Sequence, residues 1–82
     1  ERPVFYLRLL GMRYEEAIKA LQKQLDLCAI HNFKDFSVIH GKGNGVLQQA
    51  VQETLKKYSC VKEFHFARPE DGGFGKTYVT LW

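Results

Sequence analysis

The chain has 82 residues, of which 45% are hydrophobic and 13% aromatic, and its formal net charge is +3. This length corresponds to one domain, and the apolar content is enough for a packed core and excludes a disordered chain. The mild positive charge favours an anionic partner, although a solvated lysine-rich surface would give the same balance.

The first two predicted elements are a strand and a helix. An apolar and aromatic run over Val4–Leu10, closed by Gly11, predicts a buried strand. Apolar residues then recur at steps of three and four over Arg13–Ala29, which predicts an amphipathic helix. Glu15 and Glu16 lie in its first turn, where the helix dipole favours acidic side chains.

The remaining elements are two strands separated by a helix, and a final strand. The patterns predict strands over Phe36–His40 and Val61–Ala67, with a helix over Val46–Tyr58 between them. A last strand covers Thr77–Trp82, and the turn Arg68–Gly75 precedes it. The order β-α-β-α-β-β predicts an α/β two-layer sandwich with a mixed four-stranded sheet, in which the first three strands run parallel and the fourth antiparallel. The pattern leaves open whether the helices share one face.

Three unusual segments follow the first three strands. They are Leu10–Arg13, His40–Gly45 and Arg68–Gly75. Because ligands of open α/β sheets bind beyond the carboxyl ends of parallel strands, we expect all three segments at one edge, where they form a phosphate-binding surface.

The segment His40–Gly45 is the strongest local signal. Its alternating glycines let the backbone approach a ligand, and the helix that follows offers unpaired N–H groups to an anion. Lys42 adds a mobile cation. The spacing matches neither the Walker A loop nor the dinucleotide fingerprint, and a tight turn without a ligand is the alternative. The residues predicted here to contact nucleic acid are Gly41, Lys42, Gly43, Asn44 and Gly45.

His40 is the candidate catalytic residue. An imidazole at this strand end could act as a general acid or base near neutral pH, or donate a hydrogen bond to a phosphate oxygen. A histidine that only caps the turn is the alternative. His31 and His65 are given no role.

The turn after the third strand is the second signal. Arg68 and Lys76 bracket it with charge, and Gly73 and Gly75 permit a close backbone approach to nucleic acid. Phe74 could stack on a base or fold back onto the core.

Two arginines come from the first strand and its turn. If Leu7 and Leu9 face the core, Arg8 faces the other side of the sheet near the ligand edge, where it is either a nucleic-acid contact or a salt-bridged residue. Arg13 enters the first helical turn and is also expected to contact nucleic acid.

The cysteines and the apolar runs indicate in which cellular compartment the domain works. Cys28 has helical apolar spacing and is expected to be buried, and two cysteines without metal-ligand spacing indicate neither a metal site nor a disulfide framework. Whether a divalent metal is needed stays open. No apolar run could cross a membrane and no leader opens the chain. The lack of a disulfide framework predicts a reducing, cytoplasmic compartment. Because the sequence starts at Glu1 without a Met and ends on the strand-like Trp82, residues 1–82 are expected to be one domain excised from a longer protein.

The motifs together resemble one family. The run His-Gly-x-Gly-x-Gly is complete at His40–Gly45, a Gly-Gly-x-Gly run occupies Gly72–Gly75 before Thr77, and Gly-Met-Arg-Tyr-Glu-Glu-Ala occupies Gly11–Ala17. In this combination the chain resembles the Smr (small MutS-related) domain at the C-terminus of bacterial MutS paralogues.

The resemblance implies a fold like the C-terminal domain of translation initiation factor three and nucleic-acid binding with nicking endonuclease activity. It also implies DNA or RNA as partner, a link to recombination control, DNA repair or ribosome rescue, and a MutS-like ATPase in the parent chain. His40 corresponds to the family's motif histidine, and the glycines after it to the phosphate-contacting loop.

The first family motif, Leu-Asp-x-His-Gly, is altered here. Arg8 stands in place of the aspartate, and Leu10 in place of a histidine or arginine. An arginine can hold phosphate, but it cannot serve as a general base or a metal ligand. Two hypotheses follow: a nicking endonuclease, or a non-catalytic DNA-, RNA- or ribosome-binding module that uses the same edge.

Overall fold

Four strands and two helices follow one another in the predicted order in the computed structural model, which describes residues 1–82. The elements are β1 (Tyr6–Arg8), α1 (Tyr14–His31), β2 (Asp35–Ile39), α2 (Val46–Lys57), β3 (Val61–Phe66) and β4 (Lys76–Leu81). Two single turns of 3-10 helix, Pro69–Asp71 and Gly73–Gly75, lie between β3 and β4.

The sheet has the order β1-β2-β4-β3. β1 and β2 are parallel, and β4 is antiparallel to both β2 and β3, so β1, β2 and β3 run in the same direction. The mixed four-stranded sheet is confirmed. The last strand of the chain occupies a central position, between the second strand and the third.

Both helices cover the same face of the sheet and pack against each other. Their apolar stripes meet alternate residues of the strands, because successive strand residues point to opposite faces. The fold therefore has two layers, as predicted, and the other face of the sheet carries no helix. The buried cluster comprises Leu9, Ala17, Leu21, Leu25, Cys28, Phe36, Val38, Val51, Leu55, Val79 and Leu81.

The first strand differs from its prediction. It is paired over Tyr6–Arg8 only and lies at the edge of the sheet, whereas the apolar run predicted a buried strand over Val4–Leu10. Only Leu9, just after the strand, is fully buried, and both Tyr6 and Arg8 are exposed. An edge strand has one neighbour, so one row of its backbone groups and one of its faces meet solvent.

The first helix also differs slightly, since it ends two residues beyond the predicted Ala29, at His31. Glu16 Oε1 accepts a hydrogen bond from the N–H of Arg13 at 3.0 Å, which fixes the start of the helix. Asn32 ends it in a left-handed conformation, with φ of 55°. Neither helix is long and apolar enough to span a membrane.

Candidate nucleic-acid interface

The three segments after β1, β2 and β3 meet at one edge of the sheet. The carbonyl oxygen of Gly75 accepts hydrogen bonds from the N–H of His40 at 3.1 Å and of Gly41 at 2.9 Å, which joins the second segment to the third. From the first segment, Leu10 lies against Gly41. We call the middle segment, His40–Gly45, the glycine loop.

The backbone of the glycine loop is rich in unused hydrogen-bond donors. The N–H groups of Lys42, Gly43, Asn44 and Gly45 donate to no acceptor in the protein. The same is true of Leu47 and Gln48 in the first turn of α2, where helical geometry leaves N–H groups unpaired. Only Val46 in this stretch is satisfied, by Asn44 Oδ1 at 3.1 Å.

The residues that carry these donors line a small pocket of about 80 Å³. Its walls come from the whole glycine loop together with Leu47 and Gln48. No acidic residue lies in the first turn of α2, so no carboxylate competes for the positive end of the helix dipole. The pocket therefore has the donors and the electrostatics of an anion site.

The backbone conformation at position 41 favours glycine. Its φ is +77°, in the left-handed region, and a Cβ atom there would lie 2.7 Å from Leu10 Cδ2. The glycine therefore lets the loop turn beneath the Leu10 side chain. This contact also shows what the altered first motif does here: the residue in the family's histidine or arginine position packs on the loop with an apolar side chain.

His40 is buried, with 4% of its surface exposed, and both ring nitrogens are occupied. Nδ1 lies 2.9 Å from the carbonyl oxygen of Gly41, and Nε2 lies 2.8 Å from the Thr77 hydroxyl. Because a carbonyl oxygen only accepts, Nδ1 donates to it, and in the neutral ring Nε2 accepts from Thr77. His40 thus holds the glycine loop against β4, and a proton-transfer role remains a prediction.

The turn between β3 and β4 is fastened to α2. Gln48 Nε2 donates to the carbonyl oxygen of Phe74 at 2.6 Å. The Phe74 ring stands edge-on to Phe66, with centroids 5.0 Å apart, yet 64% of the residue is exposed. Phe74 therefore packs on the Phe66 ring and keeps an exposed surface, and stacking on a base stays a prediction.

The basic side chains predicted to contact nucleic acid cover a wider area than the pocket. Lys42 lines the pocket and is exposed, whereas Arg8, Arg13 and Arg68 are exposed without lining it. Lys76 turns onto the helix-free face of the sheet, over the rings of Tyr6 and Tyr78. The single ion pair of the chain joins Lys23 and Glu1, so Arg8 is not salt-bridged.

Gly73 and Gly75 differ in their relation to the loop. Gly75 packs against it, since a Cβ atom there would lie 3.5 Å from Gly41 and 3.6 Å from Lys42 Cγ. Gly73 has φ of +53° and donates its N–H to the carbonyl oxygen of Arg68, which shapes the turn. Neither glycine lines the pocket.

Sequence reasoning predicted free N–H groups at the start of α2 but did not name the residues that carry them, Leu47 and Gln48. It missed the partner of His40. Thr77 is separated from His40 by 37 residues, so only the folded sheet brings them together. No three side chains of His, Cys, Asp or Glu gather anywhere in a metal-binding cluster.

The chain belongs to the Smr domain family, whose model matches residues 7–82. It is 49% identical over 75 residues to a protein named endonuclease MutS2 from Staphylococcus carnosus, and 45% identical to one of the same name from Staphylococcus aureus. These matches cover 92% of this chain and 10% of each relative, so the chain spans about a tenth of their length.

Two solved structures share the fold. The Smr domain of Thermus thermophilus MutS2 has a TM-score of 0.91 at 33% identity, over 96% of this chain and 99% of that one. YdaL, a stand-alone small MutS-related protein from Escherichia coli, has a TM-score of 0.87 at 26% identity, over 99% of this chain and 67% of that one. The Thermus domain thus has nearly the same extent as this chain.

Proposed function

We propose that this domain binds nucleic acid by holding a backbone phosphate in the glycine loop. The observation that carries the proposal is the set of free backbone N–H groups around the pocket, from Lys42 to Gln48 with the exception of Val46. Backbone donors at a helix N-terminus bind phosphate oxygens without reference to base sequence. The Smr family and the name of the MutS2 relatives support a nucleic acid as the source of that phosphate.

The side chains around the pocket fit this proposal. Lys42 supplies a positive charge on the loop itself, and Arg8, Arg13 and Arg68 extend positive charge beyond it. Binding of this kind releases counterions, so the affinity falls steeply as salt rises. The surface thus holds the nucleic-acid backbone and does not by itself read a sequence.

The test measures the affinity of the purified domain for labelled oligonucleotides at several salt concentrations. Lys42→Gln should weaken binding to every sequence and reduce the salt slope by about 1, since one phosphate contact is lost. Lys56→Gln is the matched control, because Lys56 is exposed in the last turn of the same helix, at the end away from the loop. Equal effects of the two substitutions would reject the glycine loop as the phosphate site.

Cleavage of the bound backbone is the second candidate function, and the name endonuclease of the MutS2 relatives favours it. In that function His40 would transfer a proton at the scissile phosphate and Lys42 would stabilise the developing charge. His40 must first release Gly41 or Thr77, since both of its nitrogens are bonded. Arg8 at the aspartate position removes the carboxylate that the family motif places there.

Incubation with supercoiled plasmid and with labelled RNA separates the two functions. Nicking that disappears in His40→Gln, while binding persists, would support cleavage by this domain. Binding without cleavage by the wild-type domain would leave a nucleic-acid-binding module. A MutS-like ATPase in the parent chain, a ribosome partner, and roles in recombination control, DNA repair or ribosome rescue belong to the same proposal at the level of the whole protein.

A further inference from the structure

The helix-free face of the sheet carries an aromatic row at its centre. The register places Tyr6 opposite Ser37, Ser37 opposite Tyr78 and Tyr78 opposite His65, so the row crosses all four strands. Tyr6 is 59% exposed, His65 is exposed, and the rings of His65 and Tyr78 stand 5.6 Å apart. A depression of about 390 Å³ opens over these side chains. A concentration of exposed aromatic surface of this kind marks a binding site.

Positive side chains lie between the aromatic row and the glycine loop. Arg8 pairs with Ile39 and Ile39 with Lys76, which places both cations one row nearer the loop, on the same face. Lys76 Nζ lies 5.2 Å from the ring centre of Tyr6 and 5.1 Å from that of Tyr78. Rows on one face are two residues apart, about 6.6 Å along the strands. A strand that leaves the loop therefore passes Arg8 first and then reaches the aromatic rings, over which the Lys76 ammonium lies.

Acidic side chains lie on the far side of the aromatic row. Asp35, Thr80 and Glu63 form the next row away from the loop, and the Thr80 hydroxyl donates to Asp35 Oδ1 at 3.1 Å. The charge on this face thus changes from positive near the loop to negative at the opposite end. The carboxylates at the far end repel a polyanion, so a nucleic acid is favoured only over the part of this face nearest the loop. Only a short segment of its backbone can therefore contact the face.

We infer that the aromatic row stacks unpaired bases of the strand whose phosphate the glycine loop holds, so that the preferred ligand is single-stranded nucleic acid. The inference rests on the phosphate site proposed above. Unpaired bases offer their faces to Tyr and His side chains, whereas in a duplex those faces are stacked on one another. Arg8 and Lys76 contact the phosphates that connect the loop-bound nucleotide to the stacked bases.

The test compares three labelled ligands of equal length: an intact single strand, an abasic single strand with the same backbone, and a duplex. Wild-type domain should bind the intact strand most tightly. The double substitution Tyr6→Leu/Tyr78→Leu should weaken that binding at least about fivefold, the effect of one lost base stack, and leave the abasic strand unaffected. Tyr6→Phe/Tyr78→Phe keeps both rings and should retain the wild-type affinity.

Two further measurements, 2-aminopurine fluorescence and the affinity of Lys42→Gln, distinguish failure of the base platform from failure of the phosphate site. A strand that carries 2-aminopurine next to the loop-bound phosphate should lose fluorescence on binding to the wild-type domain, which reports stacking without any substitution. Equal weakening of intact and abasic strands by the leucine pair, or unchanged 2-aminopurine fluorescence, would overturn the aromatic row as a base platform while Lys42→Gln still weakened binding. Unchanged affinity in Lys42→Gln would instead overturn the phosphate site.

Discussion

His40 Nε2 and the Thr77 hydroxyl lie 2.8 Å apart in the interior, where 4% of the histidine and 1% of the threonine are exposed. The bond joins the residue that follows β2 to the central strand β4. The low dielectric of the interior makes this hydrogen bond stronger than it would be in water. For the same reason, either group would be costly to bury without its partner. The conformation of the glycine loop therefore depends on a threonine that lies far away in the sequence.

Replacement of Thr77 by valine should destabilise the fold, because the shape is kept while His40 Nε2 loses its partner. We expect a loss of about 1–3 kcal/mol in the free energy of unfolding, measured by urea denaturation. Thr80→Val is the matched control on the same strand, where the hydroxyl bonds Asp35 at the surface, and should cost less. Equal losses would show that the bond to His40 contributes nothing specific.

Introduction of alanine at Gly41 should reveal the contact with Leu10. A left-handed alanine costs about 1–2 kcal/mol, and its Cβ would push aside the exposed end of the Leu10 side chain, which adds a smaller cost. A double-mutant cycle with Leu10→Ala should recover the second part, so the two changes should cost less together than their sum. Gly43→Ala is the control, because its φ is +36° but no atom lies near its Cβ position, and it should show no coupling to Leu10.

The sequence predicted the elements and the shared direction of the first three strands because both depend on local patterns. Apolar spacing defines the helices, and a strand-helix-strand order favours parallel strands. The central place of β4 and the edge position of β1 were not predicted, since neither strand's pattern specifies its neighbours. The burial of alternate residues along β4, Thr77, Val79 and Leu81, becomes visible only in the folded sheet.

In the candidate site, too, features that depend on neighbouring residues were predicted, and features that depend on distant residues were not. The glycine loop was found because three alternating glycines before a helix are a local signal. The bonding of His40 was not, because its partner comes from another strand. The place of Lys76 on the helix-free face follows from its register opposite Ile39, which no pattern within the turn could reveal.

The two cysteines should differ in reactivity. Both are free, but Cys28 is buried, and this burial raises the pKa of its thiol to about 11. Alkylation of the folded domain near neutral pH should therefore modify Cys60, which is partly exposed, well before Cys28. Mass spectrometry of the labelled peptides measures the order, and equal rates would show that the helix layer opens readily.

The same thiol makes stability depend on alkaline pH. Cys28 stays protonated in the folded state while the unfolded chain loses the proton near its ordinary value of 9.0. The free energy of unfolding should thus fall as pH rises from about 9 to about 11. Urea denaturation across this range measures it, and Cys28→Ala should show a smaller fall, since the titrating group is gone. An identical fall in the variant would assign the effect to other groups.

Removal of the Arg8 charge should weaken nucleic-acid binding and reduce its salt dependence. Arg8 is exposed, makes no ion pair, and lies in the register row nearest the glycine loop, so Arg8→Ala should lower the salt slope by about 1. Arg2→Ala is the matched control, because Arg2 is equally exposed but precedes β1 at its opposite end. If both variants bind alike, the arginine in the family's aspartate position is not a phosphate contact. If only Arg8→Ala binds weakly, the arginine that stands in the family's aspartate position strengthens the hold on the nucleic-acid backbone, in place of the carboxylate of the cleavage motif.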